Sequence, residues 1–249
     1  MMIKKFSLPF QSLKNLEDLD NLAEVIKLAR IKDVYYRGQR EDWTLLPGIA
    51  QLRDKLNLPK DETKMFDEFR QESQKYLDPI PNNQLDWLAI AQHHGLPTRL
   101  LDWTTDPYIG LWFAVRKSAD EKNKPGVLWI FTPDPEDVFN KDISGRHPFS
   151  GSRTKIFVPT TPHLDGRIKA QNGAFTVHKY IEKENRFVPL EKNKRQKSKL
   201  YKMTIDSSDF SSLRGQLRDR KINDSVLFPG LDSLSHEIKM RYINLRDNN

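Results

Sequence analysis

The chain has 249 residues, of which 37% are hydrophobic and 30% charged, so we expect a soluble protein with enough apolar side chains for one large core. Zero cysteines exclude disulfides, thiolate chemistry and cysteine-based zinc sites. No apolar run has the length of a membrane span, and the first residues lack the apolar stretch of a secretory signal, which favours a cytoplasmic protein without a membrane partner. The formal net charge of +7 favours polyanionic partners, but ordinary variation in surface charge explains it equally well.

The first 80 residues predict a helix, a strand and a helix in that order. Apolar side chains recur at helical spacing up to Arg30, and residues 33–39 (DVYYRGQ) then alternate as in a short strand. Residues 59–78 predict a second helix, with Phe66 and Tyr76 on one face.

The middle of the chain carries clear helix boundaries. An asparagine cap at the start and Gly95 at the end delimit a third helix within residues 82–95. Asp106 is a good N-cap and Pro107 a good first residue for a fourth helix. The apolar run in residues 126–133 (GVLWIFTP) then predicts a buried strand.

The last part of the chain predicts loops, strands and helices in turn. Residues 132–165 are rich in Pro, Gly, Ser and Asp, which indicates a long excursion of loops of the kind that covers a binding site. Residues 167–180 lead into one strand, and residues 199–206 (KLYKMTID) predict another. Residues 207–221 predict a capped helix, and residues 223–245 a loop followed by a final helix.

This order of elements predicts an α+β fold with N-terminal helices and a mixed or antiparallel sheet, in a single domain. Residues 1–30 are expected to form a helical lead-in, and residues 31–249 one compact unit.

The most unusual stretch is residues 93–104 (HHGLPTRLLDWT), which gathers two histidines, Arg99, Asp102 and a tryptophan around one Gly and one Pro. Adjacent histidines cannot both lie on one helical face, so no metal site is expected. Histidines in the last turn of a helix are also explained by its dipole. Arg99 and Asp102 are equally explained as an ion pair that locks the turn.

Arg37 ends an apolar strand beside Gly38. The planar guanidinium fork matches phosphates and carboxylates bidentately, and a glycine would let a ligand approach the backbone closely. The structural alternative is a buried Arg–Asp bridge, with Asp102 as the candidate partner.

Residues 167–179 (RIKAQNGAFTVHK) set Gln171 and His178 around Phe175. A neutral amide just before a strand either holds a ribose hydroxyl or bonds to the backbone, and the sequence leaves both interpretations open.

These stretches carry a resemblance to the FRG domain family, named for the aromatic-Arg-Gly triplet that is Tyr36-Arg37-Gly38 here. The likeness continues through residues 37–49, 87–115, 167–179 and 225–238, so it covers roughly residues 30–240. The block QHHGLPTRLLDWT is its longest and most specific part.

The order of motifs is similar, more weakly, to that of ADP-ribosyltransferases. In those enzymes a first-strand Arg or His holds NAD, a Ser/Thr-rich motif supports the nicotinamide ribose, and a third motif supplies a glutamate. The resemblance implies an ADP-ribosyltransferase-like fold and an enzyme that cleaves NAD and transfers ADP-ribose, in the setting of a toxin or phage-defence effector.

Under this resemblance Arg37 holds a phosphate of NAD, Thr98 or Thr104 takes the Ser/Thr role, and Gln171 stands where the glutamate is expected. A glutamine cannot act as a base or carry negative charge, so Asp102 is the nearest candidate acid. His94 and His178 are candidates for proton transfer, because histidine titrates near neutrality.

The catalytic candidates are Arg37, Asp102, Gln171 and His94. The NAD-binding candidates are Tyr36, Arg37, Gly38, Gln39, Thr98, Arg99, Trp103, Thr104, Phe175 and His178, with Trp103 or Phe175 stacking on a ring and Gln171 contacting a ribose.

A basic segment over residues 191–202 (EKNKRQKSKLYK) suggests RNA or DNA as the acceptor. Its six basic residues are Lys192, Lys194, Arg195, Lys197, Lys199 and Lys202, against one acid. We expect a protruding loop or hairpin edge here. A lysine-rich edge that discourages strand pairing explains the same residues.

The main rival interpretation is a non-catalytic nucleic-acid-binding module, which would ignore NAD. A third is an interaction domain in a defence or toxin–antitoxin system, with a neutralising antitoxin protein as its partner.

Overall fold

The computed structural model describes residues 11–116, 123–139, 147–161 and 166–231, together with residues 235 and 239. Its centre is a sheet of six antiparallel strands in the order β4-β5-β2-β1-β3-β8. The strands are β1 (Tyr35–Gln39), β2 (Leu100–Thr104), β3 (Gly126–Phe131), β4 (Lys155–Phe157), β5 (Gly173–Val177) and β8 (Leu200–Ile205), and a separate hairpin joins β6 (Tyr180–Ile181) to β7 (Arg186–Phe187).

Helices cover one face of this sheet, which confirms the predicted α+β fold class. The helices of the described residues are α1 (Leu16–Leu28), α2 (Lys60–Ser73), α3 (Gln84–His93), α4 (Pro107–Val115), α5 (Gly166–Ala170), α6 (Phe210–Asp219) and α7 (Asp224–Leu227). None of them has the length and apolar character needed to cross a membrane.

The predicted helix ends of α3 and α4 are confirmed. The Asn83 side chain accepts from two backbone amides at the start of α3, and Gly95 follows that helix with a φ of +92°. The Asp106 carboxylate caps α4 in the same way, and Pro107 is its first residue. These caps fix the two ends of the segment that carries β2.

Two groups of helices bury two parts of the helix-covered face. The larger cluster packs α1, α4 and α6 against Tyr36, Leu128 and Met203. The smaller cluster packs α2 and α3 against Leu100 and Phe175. Since α1 contributes four buried side chains to the larger cluster, it is part of the core that also holds β1.

The two halves of the sheet meet at one point only. β1 is bonded to β2 at the single pair Tyr36–Thr104, whereas β1 pairs with β3, and β2 with β5, over five residue pairs each. β1 and β2 therefore diverge beyond this pair, towards Gln39 and Leu100. We call the space between them the split.

Gly38 serves the packing of α4 on β1. A Cβ at this position would lie 1.9 Å from the Gly110 carbonyl oxygen and 2.4 Å from the Ala114 amide nitrogen. The expectation that Gly38 gives a ligand access to the backbone is wrong, because the backbone of α4 already fills that space.

Three local predictions differ from the structure. Residues 132–165, expected to be loops, contain β4, which pairs with β5. Tyr76 is 77% exposed in a 3-10 turn after α2, so it does not share the buried face of Phe66. The final helix expected within residues 223–245 lies largely outside the described residues, and α7 is a short helix in the segment expected to be a loop.

Candidate functional site

Arg37 lies at the open side of the split, one residue past the last bond between β1 and β2. Its Nη1 donates to the Asp102 carbonyl oxygen at 2.7 Å and lies 3.7 Å from Asp102 Oδ2. The guanidinium thus links the two strands where their backbone pairing stops. Burial lowers the pKa of Arg37 and the nearby Asp102 charge raises it, and the group keeps its charge at any ordinary pH.

The carboxylate of Asp102 is fixed but accessible. Its side chain is 62% exposed, although Gln92 Nε2 donates to Oδ1 at 2.7 Å and Arg37 faces Oδ2. One hydrogen-bond donor from α3 and one cation from β1 therefore orient a negative charge that solvent or a ligand can reach. The structural alternative named for Arg37, a bridge to Asp102, is present in this half-exposed form.

A chain of hydrogen bonds continues from Asp102 into the protein. Thr98 Oγ1 donates to Gln92 Oε1 at 2.5 Å and accepts from the Leu100 amide at 3.1 Å. Thr98 is buried, so it sets the orientation of Gln92, which in turn sets that of Asp102. Gln92 was missed by sequence reasoning; the available signal was its place directly before the two histidines of the motif.

Arg99 belongs to a different pair. Its Nε and Nη2 bond to the Glu62 carboxylate at 2.6–3.1 Å, and its backbone amide donates to the same group at 3.1 Å. The two side chains are 3% and 2% exposed. The interpretation of Arg99 and Asp102 as an ion pair is therefore wrong, because the guanidinium pairs with the α2 carboxylate, and Arg99 is too deeply buried to contact NAD.

His178 is buried and neutral. Its Nε2 lies 3.2 Å from Thr176 Oγ1, which accepts from Trp103 Nε1 at 3.1 Å. Burial lowers the pKa of His178 to about 3, and the charges of Arg37 and Arg99 act in the same direction. The expectation of proton transfer by His178 near neutrality is wrong, because desolvation removes the charged form.

The two motif histidines lie at the end of α3. His93 is in its last turn and His94 is the exposed C-terminal cap. Both positions fit the helix-dipole explanation. The structure places His94 at the surface and describes no contact between it and Arg37 or Asp102.

The aromatic candidates for stacking are core residues. Trp103 is 4% exposed and packs on Phe131 with ring centroids 5.5 Å apart, while Phe175 is 5% exposed and packs on Phe157 at the same distance. Neither ring presents a face to a ligand, so the predicted stacking on NAD is wrong for both. Tyr36 is likewise buried under α4.

Two further polar candidates hold the fold together. Gln39 Oε1 accepts from Trp129 Nε1 at 3.0 Å, and both side chains are buried. Thr104 Oγ1 accepts from the Asp106 amide at 3.1 Å, in the turn between β2 and α4. Their polar groups are thus already used within the protein.

Gln171 and His178 lie at opposite ends of β5. They are seven residues apart along an extended segment, roughly 20 Å at 3.3 Å per residue. Gln171 Nε2 donates to the Leu227 carbonyl at 3.0 Å, which is the backbone alternative left open by the sequence. The two residues therefore do not form one cluster around Phe175, as the sequence suggested.

The basic segment over residues 191–202 is partly neutralised. Arg195 Nε contacts both oxygens of the buried Asp137 at 2.9 and 2.7 Å. Lys199 pairs with Asp134, and Lys202 Nζ lies 2.6 Å from Asp42 Oδ2. The segment forms two 3-10 turns before β8 instead of a protruding loop. Its exposed lysines outside these pairs are Lys192, Lys194 and Lys197.

Two comparisons with known proteins find nothing, and one finds a family. The family model described as the FRG domain matches residues 32–123. This range includes β1, β2 and α4. It also includes the four residues linked by hydrogen bonds, which are Arg37, Asp102, Gln92 and Thr98. No curated protein and no solved structure matches the chain significantly. The likeness seen in the sequence beyond residue 123 stays a prediction.

Proposed function

Since residues 32–123 match the FRG domain family model, we propose that this protein binds NAD in the split between β1 and β2 and cleaves its nicotinamide–ribose bond. The observation that carries the proposal is the Arg37–Asp102 arrangement: a fixed cation and an exposed, fixed carboxylate side by side at the open side of the split.

Arg37 is suited to the diphosphate of NAD. Its described hydrogen bonds use only Nη1, which leaves the rest of the fork without an acceptor among the described residues. Nε is itself buried, so a diphosphate oxygen would bond to Nη2 in a charge-assisted hydrogen bond. In this role Arg37 binds the donor substrate and orients its ribose towards Asp102.

Asp102 is suited to the developing positive charge. The C1′–N1 bond breaks with its electron pair leaving on nicotinamide, so the ribose carbon becomes oxocarbenium-like. A carboxylate held by Gln92 and Arg37 stabilises that charge without reorganising. Asp102 thus supplies the negative charge that a glutamate would supply in such an enzyme. Gln171 does not supply it, since its side chain is an amide bonded to α7.

The acceptor completes the reaction. A nucleophilic oxygen of the acceptor attacks the ribose carbon and loses its proton to solvent, giving either a modified acceptor or, with water, free ADP-ribose. The exposed Lys192, Lys194 and Lys197 support RNA or DNA as the acceptor. A cytoplasmic toxin or defence effector of this kind would have a neutralising antitoxin protein as its partner.

The decisive experiment incubates the purified chain with NAD labelled in the adenosine half, with and without RNA or DNA, and measures nicotinamide release and transfer of the label. Arg37→Lys and Asp102→Asn should each abolish release, because Lys lacks the fork and Asn lacks the charge. Asp20→Asn is the matched control, since Asp20 also pairs with an arginine at the surface but lies on α1.

The competing function has its own result in the same experiment. Wild-type protein that releases no nicotinamide but retains RNA or DNA would be a binding module, and the NAD proposal would then be abandoned. Release that continues unchanged in Asp102→Asn would remove Asp102 from the chemistry.

A further inference from the structure

A polar cavity lies beyond the C-terminal residue of β5, at the end of β2 and β5 towards which the split opens. Its volume is about 140 Å³. It lies between the segment before β4, the β6–β7 hairpin and the basic segment, and its lining residues are Ser152, Arg153, Thr154, Lys179, Ile181, Val188, Asn193, Arg195 and Gln196. Three of the nine are cations and none is an acid.

The two arginines that line this cavity pair with carboxylates that do not line it. Asp137, with no exposed surface, contacts Arg195 Nε at 2.7 Å and Arg153 Nε at 3.0 Å. Glu136 takes the next edge of both guanidiniums: its carbonyl accepts from Arg153 Nη2 at 3.1 Å, and its carboxylate from Arg195 Nη2 at the same distance. The acids therefore fix the two forks.

Each fork keeps one nitrogen unused. Arg195 bonds through Nε and Nη2, whereas Arg153 bonds through Nη2 and its Nε lies at ion-pair distance from Asp137, so Nη1 of both has no acceptor among the described residues. Lys179 adds an ammonium, and its backbone amide is held by Thr154 Oγ1 at 3.0 Å. The cavity is thus preorganised for an anion with several acceptor oxygens.

The size of the cavity limits what enters it. Sites that enclose a whole drug-sized molecule have about 300–1,000 Å³, so 140 Å³ suits one tetrahedral group with the rest of the molecule outside. The residues flanking Asn193 are the exposed Lys192 and Lys194, which extend the positive surface away from the cavity.

We propose that this cavity binds the phosphate group of a nucleotide or of a nucleic acid strand, with Arg153, Lys179 and Arg195 as its donors. The site is distinct from the split, because none of its lining residues lies on β1 or β2. The proposal does not depend on NAD cleavage.

The test measures binding of four probes to the full chain by calorimetry: AMP, adenosine, and an oligoadenylate RNA with and without a 5′-phosphate. Lys179→Gln is the main variant, because Lys179 has no described role in anchoring Asp137, and the fold should survive its loss. Lys64→Gln, an exposed lysine of α2, is the matched control for one lost charge.

We expect AMP to bind and adenosine not to bind, and Lys179→Gln to weaken AMP roughly tenfold, as for one charge-assisted hydrogen bond. Lys64→Gln should leave binding unchanged. If the source is a strand, the 5′-phosphorylated RNA should bind more tightly than AMP. Replacing Lys192, Lys194 and Lys197 with Gln should remove only that gain, with a salt slope lower by ~0.7 per lost contact.

Equal binding of AMP by wild-type protein and Lys179→Gln would overturn the proposal. Binding of adenosine as tight as that of AMP would do the same, since the base and not the phosphate would then be recognised. Loss of AMP binding in Arg37→Lys but not in Lys179→Gln would place the nucleotide in the split and also end it. NAD cleavage in Lys179→Gln should match that of wild-type protein.

Discussion

The HHGLPTRLLDWT motif contributes to two Arg–carboxylate pairs that differ in every physical respect. Arg99 and Glu62 are almost fully buried and joined by a bidentate contact plus a backbone bond. The side chains of Arg37 and Asp102 are 23% and 62% exposed, with the closest charged atoms 3.7 Å apart. A motif rich in charge can thus contribute one ion pair that stabilises the fold and another that stays accessible to a ligand.

The surroundings of the two pairs explain the difference. Around Arg99, the Phe149 ring lies 4.1 Å from the guanidinium carbon and completes a dry site. Around Arg37, the two strands diverge and no further carboxylate takes the remaining donors among the described residues. A buried, satisfied pair has nothing left to bind with, whereas an incomplete one does.

The largest expected effect is on the buried pair. Glu62→Gln leaves the Arg99 charge buried without a counter-charge, so we expect a loss of about 3–5 kcal/mol in the free energy of unfolding. Urea unfolding followed by circular dichroism measures it. Glu68→Gln, an exposed acid on the same helix, is the control. A loss below about 1 kcal/mol would contradict the structural role given to Arg99.

Gly38→Ala is the next largest change, and it acts on the Arg37 side alone. The new Cβ cannot coexist with the α4 backbone at 1.9 Å, so β1 or α4 must shift, with an overpacking cost of about 1–3 kcal/mol or more. Gly48→Ala is the control, since nothing lies within 4 Å of its Cβ position. Thermal melting of both variants measures the difference, and equal melting temperatures would contradict the described packing.

His178 lies within the field of both arginines and makes stability depend on pH. Its pKa in the folded protein is about 3, below the ordinary 6.5, so the unfolded chain binds the extra proton between these values. Stability should therefore fall as the pH drops from about 6.5 towards 3. His178→Gln should flatten this part of the profile relative to His94→Gln, as followed by melting temperature. A profile unchanged in His178→Gln would contradict the buried, neutral state.

The smallest expected effect on stability is at the exposed pair. Asp102→Asn keeps an oxygen for Gln92 to donate to and removes a half-exposed charge, so the free energy of unfolding should change by no more than about 1 kcal/mol. Urea unfolding measures this, and the same samples serve the NAD assay. A loss as large as that of Glu62→Gln would mean that both pairs are structural, and the contrast between them would disappear.

The sequence predicted the elements of the fold well because their signals are local. The caps of α3 and α4, the strand before Gln39 and the apolar run of β3 depend on neighbouring residues only. The short β4 was missed because its strand character comes from pairing with β5, which is far away in sequence.

The candidate site was harder to predict, because partners of charged residues lie at long sequence distance. Glu62 is 37 residues from Arg99, and nothing in its helix distinguishes it from the exposed acids beside it. Asp137 was hidden in the same way within a segment expected to be loop. Of the two partnerships that the motifs indicated for Asp102, the one with Arg37 is present and the one with Arg99 is not.

β1 and β2 pair at one position, Tyr36 and Thr104. We therefore expect the two halves of the sheet to pivot about this residue pair. The close approach of Gly38 to the backbone of α4 joins this helix to β1, while α3 packs in the cluster of Leu100 and Phe175. We expect the angle between these two halves to set the distance from Arg37 to Asp102. A molecule that binds the outer surface of α3 would then change the distance between the two charges without contacting either of them.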